Sequence, residues 1–360
     1  MKTVHGWIGI LGMALVAALA RGDDGWQFQV GGVHAWGMKM RSTGPAVVLP
    51  GDRYVGTWPG SDNILLFADR VFADGYVSLD ISTTDPSVPA PFTGTTWNWG
   101  YEHADQYNAG THTLSFHRET ARSDEQSSGD EDFSATGLEV SAKRQLLSIC
   151  GLDLGVDLAL AWFPGAQASQ SRSGSDLVQT YNYADPFQVV PTVPAPPYSG
   201  PADPLNGPGP IIPNLPVSVV SSVESYGVNT KADVNRLRAA VGPTLTLSVT
   251  EKLRVYAMPQ LTLSLAHADV TRRQAITSTD VGTGASTVLS SSVASSDKTE
   301  FMAGVLLAVG VDYHFAKNWV IGAYVGREWI PEPLRVNVGA DQTRLNFGGG
   351  EASLYVGMTF

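Results

Sequence analysis

Ten ionisable side chains recur at alternate positions along apolar segments: Glu139, Lys143, Asp153, Asp157, Arg236, Arg238, Arg254, Asp312, His314 and Glu351. On extended backbone that spacing puts the charges on one face and the apolar groups on the other. Facing one another across a narrow interior, acids and bases must pair, because an isolated buried charge costs many kcal/mol. Two roles fit: a structural salt-bridge plug, or the lining of a narrow path for small solutes. Catalysis is poorly supported. His103, His112, His117 and His267 have serines and aspartates in the same chain, but no spacing singles out a nucleophile, a base and an orienting acid. His112 and His117, five apart, fall on opposite faces of a strand and make poor joint metal ligands. Gly348-Gly349-Gly350 lacks the Lys-Ser/Thr of a phosphate loop and is expected to let a strand bend. No catalytic residue, metal or cofactor is therefore expected.

The elements that position the charged face read as strands. Leu152, Leu154, Val156, Leu158, Leu160 and Trp162 alternate with Asp153, Gly155, Asp157, Ala159 and Ala161. From Phe301 to Phe315 every odd position but Ala303 is a large apolar residue. Apolar stripes of this size suit a lipid-facing surface. Strands are expected at about 26–40, 134–146, 151–163, 234–249, 253–270, 298–315, 319–329 and 344–360. Short turns (147–150, 250–252, 316–318) alternate with long connections (41–133, 164–233, 271–297, 330–343). This predicts an all-β, transmembrane, antiparallel up-and-down barrel of eight strands. Tyr76–Asp80 and His112–His117 would raise the count to ten if they joined the wall.

Facing parity requires an odd number of residues in the turn between Val249 and Leu253, and Thr250-Glu251-Lys252 supplies three. Phe315 and Trp319 around Ala316-Lys317-Asn318 follow the same rule. Pairing Val249 with Leu253 sets Pro243 opposite Pro259, which predicts a bulge or an unpaired patch. A 147–150 turn sets Lys143 diagonal to Asp153.

Residues 1–20 have the form of an export signal: Lys2, an apolar stretch from Trp7 to Leu19, and small residues at Ala18 and Ala20. Residues 21–360 are then one barrel with long external segments 41–133 and 164–233. Cys150 is the single cysteine, so no intrachain disulfide is possible, and it is expected near a turn. The net charge of −11 tells against nucleic acid as a partner. Asp124, Glu125, Asp130, Glu131 and Asp132 make the densest acidic run, expected as a solvated loop. Half of the 22 prolines lie in 186–216, which predicts an extended external loop.

At the end of the chain Leu354, Val356, Met358 and Phe360 alternate with Ser353, Tyr355, Gly357 and Thr359. An apolar last strand ending in Phe resembles the signal read by bacterial outer-membrane assembly machinery. Asp69–Val77, Thr96-Trp97-Asn98-Trp99-Gly100-Tyr101, Gln106, Gly137–Val140 and Val241–Leu245 are similar to segments of uncharacterised outer-membrane proteins of Verrucomicrobia and related bacteria. The resemblance implies a barrel in the envelope, in contact with a lipid bilayer, and carries no established activity. Trp97, Trp99 and Tyr101 share a strand face. They suit either an aromatic girdle or the packing of an ordered external part. The expected role is structural or surface contact with a charge-plugged lumen and an unknown extracellular ligand; the alternative is a narrow porin-like channel.

Overall fold

The computed structural model describes residues 25–51, 70–77, 95–96, 99–125, 129–184, 194–199 and 212–359. The expected export signal and Phe360 lie outside them. Eight long strands form a closed antiparallel ring: β1 (Trp26–Thr43), β2 (Glu131–Ile149), β3 (Leu152–Ala184), β4 (Ser218–Ser248), β5 (Leu253–Asp280), β6 (Ser286–Ala316), β7 (Trp319–Trp329) and β8 (Gly349–Thr359). Each pairs with its successor, and β8 returns to β1 from Gln27↔Thr359 to Trp36↔Gly350.

Alternation sorts the faces as expected. On β6 Phe301, Val305, Leu307, Val309, Val311, Tyr313 and Phe315 point outward and are exposed, while Met302, Leu306, Ala308 and Asp312 are buried. Val30, Leu138, Leu261 and Leu354 continue the apolar outer face on β1, β2, β5 and β8. Trp319 and Trp329 begin and end the outward face of β7. At about 3.3 Å per residue and a tilt near 40°, ten residues span roughly 25 Å, the height of a lipid-facing band. Trp36, also exposed, stands near the Trp329 end of this belt.

The wall rises well beyond it. β3 has 33 residues, β4 and β6 have 31 each, and β5 has 28. A membrane crossing needs only about 9–11. Residues 164–184, 218–233 and most of 271–297, expected as loop, are strand. A further strand, Thr113–Glu125, pairs with β3 from Ala184 down to Ser173, while β2 pairs with β3 from Trp162 down. Among the described residues, the segment 41–133 therefore adds no strand to the ring within the apolar belt, and the ring they form has eight strands. Tyr198–Ser199 and Ile212–Pro213, inside the proline-rich stretch expected to lack regular structure, are short strands paired with Tyr101–Gly100 and Thr96–Thr95.

Turns and bulges set the registers. Cys150 and Gly151 both have positive φ (52° and 84°), the left-handed pair of a two-residue hairpin whose twist matches its strands. With a bulge between Gln145 and Leu147, this puts Lys143 opposite Asp157 and not diagonal to Asp153. At the Thr250 turn, Val249 N–H donates to Leu253 O (2.9 Å) and the Thr250 hydroxyl accepts from the Leu253 amide (2.9 Å). The expected three-residue turn is present. Pro243 falls opposite Pro259, and the β4–β5 ladder is interrupted from Gly242 to Thr244 with no change of register. The outcome is an unpaired patch, not a bulge. A Cβ on Gly242 would lie 2.0 Å from Pro259 O, so the strands close up there around a residue without a side chain. The β6–β7 turn differs from expectation: Ala316 pairs with Trp319, and Phe315 is the bulged residue.

The last strand is broken. Asp341–Asn346 pairs with Lys39–Thr43 of β1 and with Leu334–Val338, and β8 resumes at Gly349 one register step away. Cβ atoms on Gly349 and Gly350 would meet the Trp36 carbonyl (2.1 Å) and the Trp36 ring (2.5 Å). The glycine run permits the bend, as expected.

The belt has a direct test. Val309→Arg places a cation on the outward face opposite Val325, midway between Trp319 and Trp329, and is expected to cost about 2–4 kcal/mol, against under about 1 kcal/mol for Ser295→Arg, outward above the belt. Urea unfolding from lipid vesicles measures both, and equal costs would refute the belt.

Candidate functional site: the filled lumen and its external cap

The charged positions expected from the sequence converge only in part. Arg238, 1 % exposed, reaches across from β4 to Glu351 on β8 (Nη2 to Oε1 3.2 Å, with Nη1 on Oε2) and to Glu139 on β2 (3.1 Å). Arg236 donates to both oxygens of Glu328 on β7 (2.6 and 2.7 Å) and to the Ser264 hydroxyl. Thr262 and Tyr324 hydroxyls donate to Glu328 (2.9 Å) and Glu139 (2.8 Å). The arginines also lie over Phe163 at 5.7 and 5.6 Å. Two guanidinium forks thus hold three carboxylates in bidentate or shared bonds.

Glu328 was missing from the sequence-based set. Extending the inward parity Val320, Gly322, Tyr324 along β7 would have found it. Among the expected members, Asp157 and Asp312 are buried one level nearer the short turns. The Tyr355 hydroxyl donates to Asp312 and shares a 2.6 Å bond with Tyr256. Lys143 Nζ stands 3.8 Å over the Tyr256 ring. Asp153, Arg254 and His314 line a cavity at the short-turn rim and stay outside the network.

Above the arginines comes an apolar layer, with Met38, Phe133, Phe163, Met302, Leu334 and Phe347 among its members. Next is a second ionic level, where Asp341 takes Arg272 Nε (2.5 Å) and Arg172 Nη2 (3.3 Å). Residues 44–51 then cross the lumen. Val47 and Leu49 pack against Tyr226, Val228 and Ile276, and the Gly51 amide donates to Glu224 (2.6 Å). Eight strands leave an interior just wide enough for side chains, and here they fill it level by level.

The far end carries a small aromatic-cored cap. Phe72, Trp99, Tyr101, Phe116 and Tyr183 are buried together, with Tyr181 and Tyr198 against them. Trp99 and Tyr101 therefore pack an ordered part above the belt and form no girdle; Trp97 lies outside the described residues. Gln106, also part of the resemblance, is buried and ties the cap. Its Oε1 accepts from the Glu102 and His103 amides (2.9 and 2.8 Å), and its Nε2 donates to Asp74 O and Ser115 O (both 3.1 Å). His117 is held by Asp74 through ring Nδ1 (2.7 Å) and amide (2.8 Å), which fixes a turn to a strand. His103, His112 and His267 are scattered, and among the described residues no group of three or more His, Cys, Asp or Glu is placed for a metal. Burial pushes the Tyr76, Tyr101 and Tyr198 phenols up from their ordinary value. Of the residues expected as the assembly signal, Leu354 and Val356 face outward and Met358 is half-buried.

A closed antiparallel ring of eight strands, apolar outside and ionic within, defines a membrane-spanning β-barrel. No protein-family model matches the chain, and no curated protein matches its sequence. Among solved structures it aligns with Ail, the attachment invasion locus protein of Yersinia pestis, at 8 % identity and a TM-score of 0.27, covering 94 % of this chain and 100 % of that one. It aligns also with the toluene transporter TodX of Pseudomonas putida (9 %, 0.17, covering 95 % and 91 %) and a FadL homologue of Pseudomonas aeruginosa (9 %, 0.19, covering 94 % and 90 %). Scores this low carry no argument, and the fold rests on the ring itself.

Two outcomes test the interior and the cap. Arg238→Met leaves Glu139 and Glu351 buried without their cation and is expected to cost about 3–5 kcal/mol. Adding Glu139→Leu and Glu351→Leu should recover much of that in the same urea unfolding assay. For the phenols, the raised values mean that ionisation opposes folding. The cap keeps its full stability below pH about 10 and loses it as pH rises past the ordinary phenol value, and Tyr101→Phe with Tyr198→Phe should flatten that loss in an alkaline melt.

Proposed function

We propose that the chain is a bacterial outer-membrane barrel serving the envelope in a structural and surface-contact role, with a lumen that does not conduct. The observation that carries this reading is the stack of fillings in the lumen: the Arg236–Arg238–Glu139–Glu328–Glu351 network, the apolar layer, the Asp341 level and residues 44–51. A narrow solute channel fits this interior less well, since any path must break buried ion pairs.

Residues 1–20 act as the export signal. The outward stripe Leu354, Val356 and Met358, with Phe360, is what the assembly machinery reads. The short turns and both chain ends face the periplasm. The tall wall and the aromatic cap then stand outside the cell, where they meet the extracellular ligand. The signature segments Asp69–Val77 and Thr96–Tyr101, with Gln106, ally the chain with Verrucomicrobia-type barrels.

Reconstitution into planar bilayers is expected to give no discrete channels at neutral pH. Deleting 44–51 should leave the bilayer silent, because the levels below still seal the lumen. Steady unit conductance of the intact chain would overturn the assignment. For the contact role, cells displaying the intact chain should bind extracellular-matrix and glycan surfaces more than cells displaying one with 95–125 replaced by a short turn. Equal binding refutes it.

A further inference from the structure

We infer that the cavity just inside the short-turn rim is a binding site for a small tetrahedral oxyanion of the phosphate type. This goes beyond the sealed-lumen reading, because it gives one level of the interior a ligand.

The cavity has a volume of about 300 Å³ and is predominantly polar. Its wall carries Lys143, Arg144, Arg254 and Lys317 against only Asp153 and Asp312. A cationic surplus here runs against a chain whose net charge is −11. Neither carboxylate answers it. Asp312 is engaged by the Tyr355 hydroxyl, and although Arg254 stands directly opposite Asp312 in the β5–β6 ladder, the two form no ion pair. Among the described residues Arg254 has neither hydrogen bond nor ion pair; Lys143 Nζ makes no hydrogen bond and stands over the faces of Tyr256 and Tyr355, with the buried Asp157 opposite it in the β2–β3 ladder.

The second observation concerns hydrogen bonding. Gln27 Nε2, Lys143 Nζ, Thr244 Oγ1 and His314 Nε2 are buried atoms without a hydrogen-bond partner, and all four residues line this one cavity. Leaving such groups unsatisfied costs about 1–3 kcal/mol each, more for a charged one. They come from β1, β2, β4 and β6, so they approach from around the ring and not from one side. A planar carboxylate offers two oxygens to such a circle of donors. A tetrahedral oxyanion offers three or four and suits charged donors as well. The network above behaves differently: its guanidinium forks already meet carboxylates.

The same chemistry comes from a free phosphate ester or from the headgroup of a phospholipid lying at the rim. The test uses the folded full chain in a phosphate-free maltoside detergent. Isothermal titration with inorganic phosphate should give one saturable site, weakened at least tenfold by Arg254→Gln and by Thr244→Val and unchanged by Lys231→Gln far up the wall. Thr244→Val keeps the charge and the approximate shape, and heat-dependent gel mobility confirms that each variant is folded. If inorganic phosphate fails but phosphatidylglycerol stays bound in native mass spectrometry and is lost with Arg254→Gln, the headgroup is the source and the site stands. Binding of neither probe, binding indifferent to Arg254→Gln, or acetate binding as tightly as phosphate would overturn it.

Discussion

The structure depends on ring closure between β1 and β8. Within a lipid bilayer each unpaired backbone N–H or C=O costs several kcal/mol, so a spanning sheet cannot keep an edge. Residues Gln27 to Ala35 meet this demand on both sides at once, pairing with β8 along one edge and β2 along the other. Close approach is the local cost: a Cβ at Gly31 would sit 2.4 Å from Leu354 O and 2.6 Å from the Tyr355 Cβ. The unpaired patch around Pro243 and Pro259 is tolerated in the middle of the wall, since each proline keeps a partner on its other side, Val156 and Leu307.

Closure at eight strands fixes how wide the interior is, and the width decides its chemistry. Charged groups that face inward have no bulk water to answer them, so Arg238 serves three carboxylates, Glu139, Glu351 and, at 3.5 Å, Glu328, while Arg236 meets both oxygens of Glu328. Such a level is weak evidence for stability, since an apolar layer of equal volume would do as well. It is strong evidence for register, because a slip of one residue on β4 would turn both arginines to the lipid. The apolar layer above it needs no polar partners and is held by packing alone. At the rim cavity cations outnumber acids and four buried polar atoms lack partners, as Gln29 and Gln260 Nε2 and Arg238 Nε also do at the level above.

The membrane ring was legible because lipid on one side and a filled lumen on the other force period-two alternation. Phe301 to Phe315 shows it directly, and parity then placed Asp157, Arg236, Arg238 and Glu351 inward. What escaped has physical causes. Above the belt water replaces lipid, so outward residues such as Ser291, Ser295 and Lys231 are polar and the apolar stripe that marks a strand disappears; the wall there looked like loop. Bulges at Leu146 and Phe315 carry no residue signature, and each moves a register; the first, together with a turn at Cys150-Gly151 and not at 147–150, set Lys143 opposite Asp157. Trp99 and Tyr101 alternate in the same way whether they face headgroups or a core, so only the packing against Phe72, Phe116 and Tyr183 could decide.

The long strands join the two ends of the molecule mechanically. β3 carries Leu152 and Leu154 on the lipid face at one end and Tyr181 and Tyr183 in the cap at the other, with β4 paired to it from Leu247 to Ser218. The Thr113–Glu125 strand, with Phe116 and His117, is hydrogen-bonded to the same β3 and is thereby fixed to the barrel. A surface presented on flexible loops would lose conformational entropy on contact with a partner. A cap built on an uninterrupted ladder has already met that cost in folding. Side chains in the lumen reinforce the effect, because a filled barrel cannot flatten or shear without breaking Arg–Glu contacts. The filled interior and the tall wall are therefore parts of one arrangement: the first stiffens the base, and the second carries that stiffness out beyond the belt.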